Sequence, residues 1–223
     1  MKKRLLFTFL ASTASSISTQ TYAAVGRTVE SFSVSQTGGS QYSIPISAPH
    51  GPRGVQPHIV LVYNTASGNG FAGVGWSIAG LGSITRCAQT YAQDSTPAPV
   101  ALATSGGYCL NGSRLRLTAG TYGTAGSTYH TEIADFSNVT ANGAAGSGPA
   151  YFTVQGRNGL AYEYGYTDTN GNGANSQVLA SGSSTALSWL LSKVIDRAGN
   201  NSVINYTLRP AIEGRASRPG MGA

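Results

Sequence analysis

The sequence predicts an all-β fold of antiparallel sheets, built from short strands and hairpins and arranged as a sandwich or shell. Three observations predict it. Apolar residues recur with period two almost throughout. Gly, Asn and Pro punctuate these runs at turn spacing. No stretch offers a long apolar face at helical spacing, so local patterning favours strands everywhere.

The elements follow in order. "VESFSVSQTGGSQYSIPIS" puts Phe32 and Val34 on one face, turns at Gly38-Gly39, and alternates again through Tyr42, Ile44 and Ile46. "APHGPRGVQP" is a Pro/Gly loop that excludes helix and central strand. "HIVLVYN" is uniformly apolar and predicts a strand buried on both faces. In "VGWSIAGLGSITR", Val74, Trp76 and Ile78 alternate as a strand, with Trp76 expected in a core. "AQTYAQDSTPAPVALATSGG" reads as a polar linker.

"YCLNGSRLRLT" returns to alternation, with Leu115 and Leu117 opposite Arg114 and Arg116. "STYHTEIADFSNVTA" holds one or two strands. "YFTVQGRNGLAYEYGYT" is the clearest hairpin, with Asn158-Gly159 suited to a type I′ turn. In "ALSWLLSKVIDRAGNNSVINYTLR", Trp189, Leu191, Lys193 and Ile195 share one parity before the Asp196–Asn200 turn, and Trp189 is expected in a core.

Both ends depart from this pattern. Lys2, Lys3 and Arg4, a short apolar core and Thr21-Tyr22-Ala23 form a secretory signal over residues 1–23. The β-domain then runs over 24–209, and the aperiodic tail 210–223 is expected to be disordered. Export implies a periplasmic or extracellular protein that is not membrane-spanning. The formal charge is +6, three of which lie in the signal, leaving +3 on the mature chain. Those charges are scattered, so nucleic-acid binding is not expected. Charged residues are 10% of the chain, against roughly 25% in an average protein. Such a surface of hydroxyls and amides suits contact with other protein. In an oxidising compartment Cys87 and Cys109 are predicted to form a disulfide; free buried thiols and metal ligation are the alternatives.

Gly68-x-Gly70-x-x-Gly73 after an apolar strand has the outline of a dinucleotide fingerprint. The motif works only where a helix N-terminus follows, and the residues that follow read as strand. A nucleotide-dependent enzyme is therefore disfavoured. Asp168-Thr169-Asn170-Gly171-Asn172-Gly173 matches half of a calcium loop, but Leu179 stands where the bidentate Glu belongs. A plain Asn/Gly turn is the preferred reading, with bound calcium left open. His50, His58 and His130 lack metal-site spacing, and no nucleophile elbow is present. Glu132 and Asp135 could approach one another across a strand bend, and a charged rim of a sheet explains them equally well. No catalytic residue and no cofactor are expected.

Taken together, these segments are similar to the SpvB-type domain. That domain is found in the Salmonella virulence plasmid B protein, in the B components of insecticidal toxin complexes and at the head of RHS/YD-repeat proteins. The resemblance rests on Tyr42-x-Ile44-Pro45-Ile46, on Pro57 to Thr65 with Tyr63-Asn64, on Gly68 to Trp76 with Gly73 and Gly75, and on Ser83 to Arg86. It continues in "YCLNGSRLRL", "YHTEIADFSNV", "FTVQGRNGLAYEYG" and the stretch from Trp189 to Asp196, Gly199 and Asn200. Thr65 replaces the usual Ser. The motifs keep their order from about Gly39 to Tyr206.

The resemblance implies a non-catalytic structural module that helps build a β-shell or scaffold around a toxin. Its partners would be the rest of a larger toxin/RHS polypeptide or toxin-complex subunits, with association through exposed sheet edges. The chain is short against such proteins, which predicts a truncated product or a fragment. The rival expectation is a free-standing secreted module that binds glycan or host surface through the loops around Asp94 and Asp168.

Overall fold

The computed structural model describes residues 30–36, 38–49, 51, 55–70, 72–104 and 106–207. The signal at 1–23 and the tail at 210–223 lie outside them. Two bodies of sheet organise the rest, and they are built on different principles.

The first is a four-stranded antiparallel sheet of β1 (Ser31–Val34), β2 (Ser40–Ile46), β3 (Ile59–Asn64) and β6 (Trp76–Ala79), in the order β1-β2-β3-β6. Between β3 and β6 the chain makes the two-residue strands β4 (Asn69–Gly70) and β5 (Gly73–Val74), which pair with each other. No residue of β1, β2, β3 or β6 is buried. The apolar run of β3 is therefore half-buried along its length, not covered on both faces as expected. Its apolar residues serve both faces of an open sheet, with Ile59, Leu61 and Tyr63 on one and Val60 and Val62 on the other, and no second layer of the described residues closes on it.

The second body is an eight-stranded barrel. It runs through β7 (Ser83–Cys87), β8 (Gly107–Leu110), β9 (Ser113–Ala119), β10 (Thr128–Thr131), β11 (Asn138–Asn142), β12 (Tyr151–Gln155), β13 (Ala161–Tyr164) and β15 (Ala186–Ile195). Each pairs antiparallel with the next, and β15 closes the ring by pairing with both β13 and β7. Closure removes every edge from the ring. An eight-stranded barrel is just wide enough for side chains to fill its interior. Here Trp189, Tyr108, Tyr129, Phe152, Ile84, Leu115 and Val139 fill it, each essentially without solvent contact.

Strand β15 is long because it does two jobs. Its first half pairs with β7 and with β14 (Gln177–Leu179). Its second half pairs with β13 and with β16 (Asn201–Val203). Between the halves the register against β13 shifts, with Tyr164 opposite Leu191 but Glu163 opposite Lys193. That bulge resets the inward parity. Trp189 and Leu191 face the core as expected, but Val194 then packs against it in place of Lys193.

Turn chemistry explains three further departures. Asn111 and Gly112 both have positive φ, at 49° and 86°, and join Leu110 to its partner Ser113. This is the two-residue geometry of a type I′ hairpin. At Asn158-Gly159 only the glycine has positive φ. There Gly156 N donates to Leu160 O and Gly159 N to Gly156 O, which makes a three-residue loop with a glycine bulge. Within the expected linker, Tyr91–Asp94 forms one helical turn, α1. Thr90 Oγ1 caps it by accepting from Gln93 N, and Asp94 Oδ2 accepts from Thr90 N.

Cys87 and Cys109 form the expected disulfide. It clips β7 to β8, whose register sets Thr85 opposite Cys109 and Cys87 opposite Gly107.

Candidate interaction surface

Register across the open sheet decides what its faces carry. Phe32, Tyr42, Tyr63 and Trp76 stand opposite one another in successive strands, so they form one row on one face. Ile44, Leu61 and Ile78 form the next row, and Ile46 opposite Ile59 extends it. Val34 lies on the same side opposite Ser40. The reverse face carries Ser31, Ser33, Gln41, Ser43, Pro45, Asn64 and Ser77, with Val60, Val62 and Ala79 as its apolar members. One face is thus aromatic and aliphatic, and holds no charged residue. Phe32 is 65% exposed and Val34 60%. Four strands about 4.8 Å apart and five residues long on average make a face of roughly 350 Å². The largest apolar patch of a monomer falls in this size range and is often functional.

The aromatic row is held by its own contacts. Trp76 meets Tyr63 at 5.2 Å between ring centroids and Tyr42 edge-on at 6.4 Å. The Tyr42 hydroxyl donates to the Glu30 carboxylate at the sheet margin. The glycines beneath the row have a packing role. Gly75 has φ of +78°, and a Cβ there would lie 2.5 Å from the Tyr63 ring. A Cβ at Gly70 would overlap the Trp76 carbonyl. Gly75 N donates to Gly68 O, and Asn64 N to Gly75 O, which folds the β4–β5 hairpin back onto the end of β3. Gly73 has φ of +117° within that hairpin. Strand β6 follows, not a helix, so the Gly68-x-Gly70-x-x-Gly73 run has no array of helix-start amides to offer a pyrophosphate.

The remaining signature residues lie in the barrel. Arg86 is buried, and among the described residues it has no carboxylate partner. Its Nε donates to Ala186 O at 2.8 Å, Nη1 to Ala103 O at 2.7 Å and Nη2 to Ser147 O at 2.8 Å. Its guanidinium also lies 5.4 Å from the Tyr108 ring and 5.7 Å from that of Trp189. One cation therefore ties two loops and β15 to the aromatic core. Burial pushes the Tyr108 phenol up to about 12, a rise that the neighbouring Arg86 charge only partly offsets.

Asp196, Gly199 and Asn200 shape the turn into β16. Asp196 Oδ1 accepts from Ala198 N and Asn200 N, and Oδ2 from Asn200 Nδ2. Gly199 supplies φ of +84°. Asp168 does the same with Asn170 N, Asn172 N and Asn172 Nδ2, and these bonds hold its carboxyl below the usual range. The two loops read D-T-N-G-N and D-R-A-G-N, a repeat visible in the sequence that identifies Asp168 as a turn former. Both of its carboxylate oxygens already accept internal donors. Among the described residues no three His, Cys, Asp or Glu side chains gather as a metal site.

Three further acids, Asp94, Glu132 and Asp135, are also engaged. Asp94 pairs with Arg114 at 2.7 Å. Glu132 reaches Arg116 at 3.9 Å and also meets Gln93. Asp135 instead accepts from Thr131 and Ser137. Among the described residues no helix is long and apolar enough to cross a membrane.

This architecture has relatives. Residues 34–93, which include the whole glycine-bearing sheet after its first strand, match the SpvB family model, described as the Salmonella virulence plasmid 65kDa B protein. This stretch of the chain is thus similar to the SpvB family over 34–93. Its fold is similar to the N-terminal domain of effector protein SpvB from Salmonella typhimurium strain LT2, with TM-score 0.57 and 22% identity. That match covers 79% of this chain and 59% of the other. A crystal structure of TcdB2-TccC3 matches with TM-score 0.58 and 18% identity, covering 77% of this chain and 8% of the larger one. The Tc holotoxin pore of Photorhabdus luminescens matches with TM-score 0.52, 17% identity and coverages of 76% and 8%. The chain therefore spans under a tenth of the toxin-complex chains it resembles. No curated protein sequence matches it.

Proposed function

We propose that the chain is a secreted, non-catalytic structural module of a toxin-complex or RHS-type virulence protein. Its role is to contribute sheet to a β-shell or scaffold around a toxin. The observation that carries this reading is the uncharged apolar face of the four-stranded sheet, over which the described residues lay no second layer. Isolated sheets of this kind need a second layer, and in this reading the rest of the larger toxin polypeptide supplies it. The similarity to chains of toxin assemblies supports the same partner class. The signature residues support the role too, because each has a packing, hydrogen-bonding or turn function: Arg86 and Trp189 in the plug, Gly75 under Tyr63, Asp196 in its turn.

Site-specific photo-cross-linking in the producing cell tests the proposal. A photoreactive residue at Ile78 is expected to capture a toxin-complex or RHS-type polypeptide, while one at the polar-face position Ser77 is not. Equal labelling from both positions, or capture confined to unrelated abundant proteins, would overturn it.

A further inference from the structure

We infer that the barrel mouth beside the β6–β7 connection is a binding site for a neutral saccharide of one or two rings. The inference is independent of the scaffold reading, since it uses a different part of the molecule. A cleft of about 620 Å³ opens there, within the range of roughly 300–1,000 Å³ typical of ligand pockets. Buried Leu110, Val154 and Leu191 form its apolar floor.

The polar groups are graded by depth. Tyr164 lines the cleft; the residue is only 5% exposed, and its hydroxyl keeps what solvent contact the cleft allows and makes no hydrogen bond within the described residues. Such a group is free to exchange its bond to water for one to a ligand. Asn111 lies beside it, with its Oδ1 committed to Ser83 N and its amide nitrogen left to donate. Gly82 leaves the space between them open. A Cβ there would lie 2.9 Å from both the Tyr164 hydroxyl and Asn111 Oδ1.

Charge appears only at the rim. Asp135 Oδ1 is held by Thr131 Oγ1 at 2.7 Å, Ser137 Oγ at 2.6 Å and Ser137 N at 2.9 Å, which leaves Oδ2 to accept. Burial alone would raise this carboxyl, but the bonds from Ser137 and Thr131 outweigh it and hold the group ionised. Arg157 supplies the balancing cation. One carboxylate and one guanidinium at the same rim disfavour a strongly anionic or cationic ligand. The deep hydroxyl and amide match groups that both donate and accept, as sugar hydroxyls do. The half-buried Tyr162 ring adds an apolar wall for the C–H face of a pyranose. The backbone at Phe136, between the two cleft residues Asp135 and Ser137, has φ of 61°. A bulky residue adopts that conformation rarely, and such outliers cluster at ligand sites.

The test is an amide-resolved NMR titration of the full chain with maltose, cellobiose, lactose and chitobiose. Sialyllactose and a neutral tripeptide are the contrasting probes. At least one neutral disaccharide is expected to shift the Gly80–Gly82 and Asn158–Gly159 amides saturably. Gly82→Ala, whose Cβ would crowd the Tyr164 hydroxyl and Asn111 Oδ1, is expected to abolish binding by filling the cleft. Tyr164→Phe is expected to weaken it about tenfold. Both variants are checked for unchanged thermal unfolding, and Arg157→Ala at the exposed rim serves as a second, fold-neutral variant that weakens binding several-fold. The inference is overturned if no neutral disaccharide shifts these amides at millimolar concentration. It is also overturned if Gly82→Ala binds like the parent, or if sialyllactose or the peptide is preferred.

Discussion

The barrel and the open sheet use the same kinds of residue to opposite ends. In the barrel, Tyr108, Tyr129, Phe152 and Trp189 meet one another edge-on inside a closed ladder of hydrogen bonds. In the sheet, Tyr42, Tyr63 and Trp76 form an equally regular aromatic row, but β1 and β6 are edges and the face above the row is uncovered. Closure turns apolar surface into a core; an open sheet keeps it as an interface. On the proposed function, the difference separates a body that buries its own core from one whose burial depends on a neighbour. The two are joined by few ties, among them the bond from Ser202 Oγ in β16 to Val55 O ahead of β3.

The largest expected effect is inside the ring. Trp189→Ala removes the biggest buried side chain and the platform under Arg86, and should cost about 3–5 kcal/mol in chemical unfolding. Replacing Cys87 and Cys109 together by Ala should cost about 3 kcal/mol, because the bridge constrains the unfolded chain; urea midpoints of the variant and parent measure it.

Alkali should also act on the barrel first. Burial raises the Tyr108 and Tyr206 phenols from about 10 to about 12, so above pH 10 the unfolded chain ionises where the folded one does not. Stability is then full below pH 10 and falls as pH rises toward 12, by on the order of 2 kcal/mol for Tyr108. Thermal scans across that window check the sign, with Tyr108→Phe expected to lose the Tyr108 share of the fall and keep that of Tyr206. The smallest effect belongs to the sheet. Phe32→Ser and Ile78→Ser should leave stability within about 0.5 kcal/mol yet lower the binding of a hydrophobic dye.

Much of this contrast was legible in the sequence, for reasons that differ by region. Period-two alternation located nearly every strand because it reports on one face of a strand at a time. It cannot report whether anything covers that face, so β3 read as buried when its partner layer is absent from the described residues. Nor could it reveal ring closure, which depends on β15 pairing with β13 and also, far back along the chain, with β7. The bulge at Leu191 was hidden because parity is assumed constant until pairing is seen. The two Asn-Gly dipeptides show the same limit. Asn111-Gly112 and Asn158-Gly159 are identical in chemistry, and the spacing of the flanking pairs decides that one is a type I′ turn and the other a glycine bulge. Arg86 was recognisable as a signature residue, but its role as a carboxylate-free hub required carbonyls from three distant segments. In the cleft, Asp135 stood out as one of few acids; Tyr164 did not, since an alternating strand gives no sign that its hydroxyl lacks a partner.

The comparison is tested most directly by hydrogen exchange with mass-spectrometric readout on the intact chain. The account predicts protection graded by body: slow exchange in β7 to β13 and β15, where the ladder is closed and the core is buried, and fast exchange in β1, β2, β3 and β6. Addition of a larger toxin polypeptide that supplies the missing layer should slow the sheet and leave the barrel unchanged. Equal, strong protection of both bodies in the isolated chain would contradict it, because the sheet would then need no partner.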